Sequence, residues 1–189
     1  MELEEIHILI QRCLKEDQRA QSELYKLMYK SLIGVAWRYA TDKEQAIEYL
    51  NIGFVRILLN LKQYKKEVPF EMWTRRVLIN TIINEFRKNK KWNDKTLRGQ
   101  ESKMVEMKSE NDLNDHQEEM LEIIKSKSLN LPPMTLKVFN LYAIDGYMHN
   151  EISEMLGISE GTSAWHYSEA KKRIRQMMGL SVMKSENGK

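Results

Sequence analysis

Apolar residues recur at three- and four-residue steps through most of this chain, the period of helices that bury one face. From Asp17 to about Tyr39 the series is Leu24, Leu27, Met28, Leu32, Val35 and Ala36. In DKEQAIEYLNIGFVRILLNLKQY a second stripe follows, Ala46, Leu50, Phe54, Ile57, Leu58 and Leu61, with Asp42 placed to cap its start. QYKKEVP is a polar break ended by Pro69, which biases Val68 away from helix. PFEMWTRRVLINTIINEFRKNKKW then carries Phe70, Trp73, Val77, Ile82, Ile83 and Phe86 on or near one face. These close-spaced helices predict one compact helical domain over residues 1–90.

Between residues 91 and 128 apolar content falls and charged and amide residues dominate, which predicts a mobile or weakly helical linker. A second domain is expected over 129–178, with a flexible tail over 179–189. Pro132 and Pro133 suit a helix start, and Met134, Val138, Phe139, Leu141 and Tyr142 continue an amphipathic run to about Asp145-Gly146. Asn150 is placed to cap a short helix EISEML, Gly157 to end it, and Ser159 to cap a last helix reaching about Met178. There are no repeats and no alternating strand pattern of useful length. The expected fold class is all-α: two small helical domains joined by a linker, the C-terminal one a helix-turn-helix.

Composition narrows this further. Hydrophobic residues make up 42% of 189 and charged residues 30%, as in a soluble folded protein, and 8 Gly with 3 Pro leave helices few breakers. Cys13 is the single cysteine, which excludes an internal disulfide framework and a cysteine-clustered zinc site and points to a cytoplasmic setting. MELEEIHILIQRCLKED opens with acids and lacks the apolar core of a secretory signal, and no window is long and apolar enough to span a membrane. The net charge of +3 is small, so its distribution matters more. Residues 1–90 hold 16 basic against 12 acidic side chains, 91–130 hold 7 against 9, and 131–189 hold 7 against 6. Glu101 to Glu122 contains eight acids and only Lys103 and Lys108 as bases, so the linker is acidic.

The chemistry sits on the last helix. HNEISEMLGISEGTSAWHYSEAKKRIR has the layout of a helix-turn-helix, with Ile152, Met155 and Leu156 inward and a tight turn at Gly157. Ser163, Tyr167, Ala170 and Ile174 step along the face toward the core, which turns Ala164, Trp165, His166, Ser168, Glu169, Lys171 and Lys172 outward or sideways. DNA-reading helices set the side chains of their N-terminal half at base edges and use basic residues further along for phosphates. His166 has no ligand spacing with His7, His116 or His149, so no metal site is expected. No phosphate-cradling glycine loop, activated nucleophile or paired acid and base is present, so neither a catalytic site nor a cofactor is expected.

Two segments together resemble a family: the bacterial RNA polymerase sigma factors of the extracytoplasmic-function group. In LPPMTLKVFNLYAIDGYMHNEISEMLGISEGTSAWHYSEAKKRI, Glu151, Ile152, Gly157, Ser159, Gly161, Thr162 and Ala170 stand at matching positions. In FEMWTRRVLINTIINEFRKNKK, Phe70, Trp73, Asn80, Arg87 and Lys88 are in register. The resemblance implies a winged-helix-like, region-four type of helix-turn-helix, core RNA polymerase and promoter DNA as partners, and an anti-sigma protein of the kind that restrains many relatives. It also implies that the first domain grips polymerase and binds the melted downstream element while the second reads the upstream element, with Thr162 joining the outward residues of the last helix.

For the downstream element the expected residues are Tyr64, Lys65 and Lys66 in the QYKKEVPF loop, with Arg75, Arg76, Asn80, Arg87 and Lys88 on the helix that follows. An exposed strand needs a stacking partner and cations; Tyr64 suits either stacking or packing, and Phe70 and Trp73 suit the core. Polymerase contact falls to Glu48, Asn51, Ile52, Val55 and Arg56, where Gln45-Ala46-Ile47-Glu48 and Asn51-Ile52 replace the family's more acidic run. Ala164, His166 and Glu169 replace basic residues common in the family, so promoter preference does not carry over; Glu169 suits acceptance from a cytosine amino group. The acidic linker suits either a polyanion mimic within polymerase or a solubilising spacer. The competing readings are a helix-turn-helix regulator that acts without being a polymerase subunit and, more remotely, a helical enzyme.

Overall fold

The computed structural model describes residues 3–96 and 131–177. The chain divides into two units, Met1–Lys108 and Ser109–Lys189, each considered by itself. The expected linker beyond residue 96 and the expected tail lie outside the described residues. The boundary expected at residue 90 falls within a helix that runs on to Thr96. No strand, and hence no wing, occurs among the described residues.

The first unit contains α1 (Leu3–Cys13), α2 (Gln18–Tyr39), α3 (Lys43–Asn60) and α4 (Phe70–Thr96), with a 3-10 turn at Leu61–Gln63. Helix α1 is an element that the apolar spacing did not single out; it buries Leu9, Ile10 and Cys13 and packs on α2. The turn after it is built around Asp17. One carboxylate oxygen accepts from the backbone N–H groups of Arg19 (2.9 Å) and Ala20 (3.2 Å), capping α2, while the other accepts from Arg12 Nε at 2.9 Å. The Ala20 N–H and then the Arg12 guanidinium hold this carboxyl below its ordinary range. Glu16 completes the reversal at φ 61°, a left-handed conformation unusual for a side chain with a Cβ.

Helices α2, α3 and α4 form the core, with Leu24, Leu32, Leu50, Ile57, Leu78, Ile82 and Ile83 fully buried. Leu27, expected to face inward, is instead 38% exposed, whereas Tyr49, Leu78 and Ile79 join the core. Gly53 lets α3 and α4 approach closely, since a Cβ there would collide with the Leu78 side chain. Asp42 caps α3 as expected, accepting from the Gln45 N–H at 2.8 Å. Buried Thr74 and Thr81 donate to the carbonyls of Glu71 and Val77, so neither hydroxyl is left unsatisfied.

The second unit contains α5 (Pro133–Phe139), which widens into a π turn at Asn140–Ile144, then α6 (His149–Leu156) and α7 (Glu160–Met177). Its core comprises Leu131, Val138, Leu141, Tyr147, Ile152, Leu156 and Ala170. Tyr142 turns outward instead and stacks on His149, with ring centroids 4.2 Å apart. Helix α6 begins before Asn150: Met148 is the N-cap, and Glu151 reaches back to accept from its N–H at 2.8 Å. Gly157 ends α6 at φ 66°, and Ser159 Oγ accepts from the Thr162 N–H at 3.1 Å to start α7. A left-handed glycine followed two residues later by a capping serine makes the reversal short.

Candidate nucleic-acid interfaces

In the first unit, α3 and α4 flank a groove of about 580 Å³ lined by Arg56, Asn60, Gln63, Trp73, Asn80, Asn84, Arg87 and Lys88, among others. The α4 residues recur every three or four positions from Trp73 through Val77, Asn80 and Asn84 to Lys88, which is why one helix face supplies them. The groove is polar, with amide donors and acceptors between an aromatic ring and a basic end. It unites Asn80, Arg87 and Lys88 with Arg56, which was expected at the polymerase surface. Lys88 is partly engaged, at 2.6 Å from Glu85. Gln63, Asn60 and Asn84 were missed, although the helical period from Asn80 points to Asn84.

Tyr64, Lys65, Lys66, Arg75 and Arg76 do not line that groove. Tyr64 is a structural post: its hydroxyl donates to the Val68 carbonyl at 3.0 Å, and its ring packs edge-on against Phe70 (5.0 Å) and near Trp73 (5.4 Å). Burial raises its phenol pKa. The strapped loop holds Lys65 and Lys66 at an exposed tip. Arg75 is half-buried and Arg76 exposed, one turn from Glu71, which accepts from Ser31 of α2 at 2.7 Å.

Glu48, Asn51, Ile52 and Val55 share one outer face of α3 by helical spacing. That face adds Leu59, 68% exposed, to Val55 at 54%. Asn51 Oδ1 accepts from Tyr25 of α2 at 3.0 Å, and Tyr25 in turn stands edge-on to Phe54. An apolar patch edged by an acid and an amide is thus held rigidly on the α2–α3 surface.

In the second unit, α7 packs through Ser163 and Ala170, both fully buried. Ser163 Oγ is 2.9 Å from His149 Nδ1, which supplies its buried hydroxyl with a partner. Opposite this face run Trp165, Ser168, Lys172 and Arg175, all exposed and spaced by three or four residues. Arg175 is the member of this strip that was not among the expected contacts. Thr162 and Ala164 flank it, both exposed. Lys171 lies to one side, its Nζ 4.5 Å from the centre of the Tyr167 ring.

Two expected readers also hold contacts within the unit. His166 is half-buried and shares a 3.0 Å hydrogen bond with Thr135 of α5; burial lowers its pKa and favours the neutral ring. Glu169 pairs with Arg173 at 2.6 Å, and that hydrogen bond holds its carboxyl below the ordinary range. Among the described residues no His, Cys, Asp and Glu cluster could hold a metal, and no helix is long and apolar enough to cross a membrane.

A helical unit with a basic, amide-lined groove and a second unit that presents a helix-turn-helix define a two-part DNA-binding protein. The family model of sigma-70 region 2 matches residues 24–92 and that of sigma-70 region 4 matches residues 122–174, together more than half the chain. The chain therefore belongs to the sigma-70 family, in the two-region arrangement of its extracytoplasmic-function group, and is an RNA polymerase sigma factor that directs promoter recognition and transcription initiation. Among solved structures, the sigma factor RpoE in complex with the anti-sigma factor NepR from Bartonella quintana is similar, with 14% identity, a TM-score of 0.51 and coverage of 85% of this chain and 97% of that one. CnrH in complex with the cytosolic domain of CnrY is similar at 17% identity and a TM-score of 0.48, covering 92% and 97%. The RpoE likeness bears on the fold alone. No curated protein matches the chain.

Proposed function

We propose a division of labour between the two units. Helix α7 reads the upstream promoter element in the major groove through Thr162, Ala164, Trp165 and Ser168, with Lys171, Lys172 and Arg175 on phosphates. The α3–α4 groove takes the melted downstream strand: Asn80 and Asn84 face base edges, Trp73 offers a ring for stacking, and Arg56, Arg87 and Lys88 meet the backbone. Lys65 and Lys66, on the loop that Tyr64 straps down, neutralise neighbouring phosphates. The α3 face of Glu48, Asn51, Ile52 and Val55, with Leu59, docks on core polymerase. The observation that carries this reading is the separation of face types on α7, a fully buried seam opposite a neutral N-terminal strip and a basic C-terminal one.

The protein has no reaction of its own in this reading and works in the cytoplasm on polymerase, which performs the chemistry. RpoE is solved in complex with the anti-sigma factor NepR, which supports a restraining protein partner here as well. The acidic stretch from Glu101 to Glu122 acts as a polyanion mimic within polymerase; reversing Glu118, Glu119 and Glu122 then weakens holoenzyme assembly, and unchanged affinity leaves only a spacer. Reconstitution with core polymerase tests the whole. Stoichiometric association and new promoter-dependent transcripts are expected, whereas operator binding without polymerase overturns the assignment of roles.

A further inference from the structure

The N-terminal two turns of α7 lack the side chains that usually read purines. Guanine is read by Arg or Lys and adenine by Asn or Gln, in bidentate pairs. The exposed residues here are Glu160, Gly161, Thr162, Ala164, Trp165 and Ser168, none of them basic and none an amide. Glu169, next along, is tied to Arg173. Cations start only at Lys171, where phosphates are in reach. Apart from the acids Glu160 and Glu169, which suit only an amino group, direct readout here is by hydroxyl and apolar contact, and the apolar partner that a base pair offers in the major groove is the thymine C5-methyl.

Trp165 is the largest of these groups. It is 60% exposed, and its position is held from below. The indole stands edge-on to the His166 ring, centroids 4.9 Å apart, and His166 is itself bonded to Thr135, which is 1% exposed. A large exposed ring braced through a second ring to a buried hydroxyl is preorganised for contact, so less ordering is needed when it meets DNA. A tryptophan that merely filled the core would not project from the strip opposite Ser163 and Ala170.

We infer that Trp165 sets the base preference of this sigma factor's upstream element by packing its indole against the C5-methyl of a thymine. The inference rests on α7 being the promoter-reading helix. Thr162 and Ala164 add small contacts at its flank, and the Thr135–His166 pair is the positioning support.

The test uses holoenzyme reconstituted from the full chain and core polymerase. The upstream element is selected from duplexes randomised at those positions, and each thymine in the selected sequence is then replaced by deoxyuridine, which removes only the methyl. Binding is measured at low salt, where phosphate contacts keep weakened complexes measurable. At one thymine or more the replacement is expected to weaken binding of the wild type about fourfold, the worth of one buried methyl-sized group. In Trp165→Ala it is expected to change nothing at that position, and Trp165→Phe, which lacks the indole N–H, keeps part of the effect. An element selected without thymine, an undiminished deoxyuridine effect in Trp165→Ala, or equal weakening by Trp165→Ala on selected and random sequences each overturns the inference. The double variant Lys171→Ala/Lys172→Ala separates the two levels. If it leaves promoter binding unchanged, α7 is not the reading helix; if it weakens binding to all sequences while the Trp165 result fails, only the role of Trp165 falls.

Discussion

His166 shows how one side chain can change its meaning between sequence and structure. Its place in the series Ala164 to Lys172 suits an outward reader, yet it lies against α5 with a hydrogen bond to Thr135. Nothing in local spacing discloses Thr135, 31 residues earlier. Burial depresses the imidazole pKa, so the unfolded chain takes up a proton near its ordinary value of about 6.5 before the folded one does. The associated stability is fully present above that value and is lost as pH falls toward the lower folded pKa. We expect the thermal midpoint of the second unit to fall between pH 7 and 5, and His166→Gln to show a smaller fall, measured by circular dichroism on the full chain. An equal fall in the variant assigns the pH dependence to other groups. Glu169 teaches the same lesson: its Oε1 accepts from Arg173 one turn on, a partner that the i,i+4 spacing does make legible.

Among the elements, with prolines and a serine cap marking α5 and α7, apolar period places α2, α3 and α4 close to their observed ranges, because each buries one long face. It passes over α1, a short helix whose buried set of Leu9, Ile10 and Cys13 is small. It also misplaces Leu27 and Leu58 within their stripes: Leu27 is exposed and Leu58 half-buried, since α2 and α3 are covered by neighbours over only part of their circumference. Gly53 is silent in the sequence and decisive in the packing. Gly53→Val is expected to destabilise the first unit by about 1–3 kcal/mol through overpacking against buried Leu78, read as a lower denaturation midpoint with an unchanged m-value. At the helix-turn-helix corner, Gly157 has open space around it but a positive φ. Gly157→Ala is accordingly expected to lose about 1 kcal/mol from backbone strain alone, and an unchanged midpoint there denies that the left-handed corner is costly for other residues.

For the molecule as a whole, the proposed division of labour implies two kinds of nucleic-acid contact that respond differently to salt. Phosphate contacts release counterions, with a slope of about −0.9 per contact in log affinity against log salt on duplex DNA. Removing Lys171 and Lys172 together is expected to flatten the salt slope of holoenzyme binding to duplex promoter by up to about 2 and to weaken all sequences alike. Asn80→Ala is expected to leave duplex affinity close to wild type but to lower open-complex formation severalfold, followed by permanganate reactivity of the melted strand; equal loss in both assays moves Asn80 out of the melting step. The sequence by itself determined the all-helical class, the helix ends at Asp42, Gly157 and Ser159, the helix-turn-helix and its outward strip, because those depend on periods and caps local to the chain. Only the tertiary structure decided that Arg56 joins Asn80 and Lys88 across a groove, that Tyr64 braces its loop against Val68 and Phe70, and that His166 is anchored to Thr135 of α5. Each of those is a meeting of residues from different helices or loops, set by how closely the helices pack, and one-dimensional spacing carries no record of that distance.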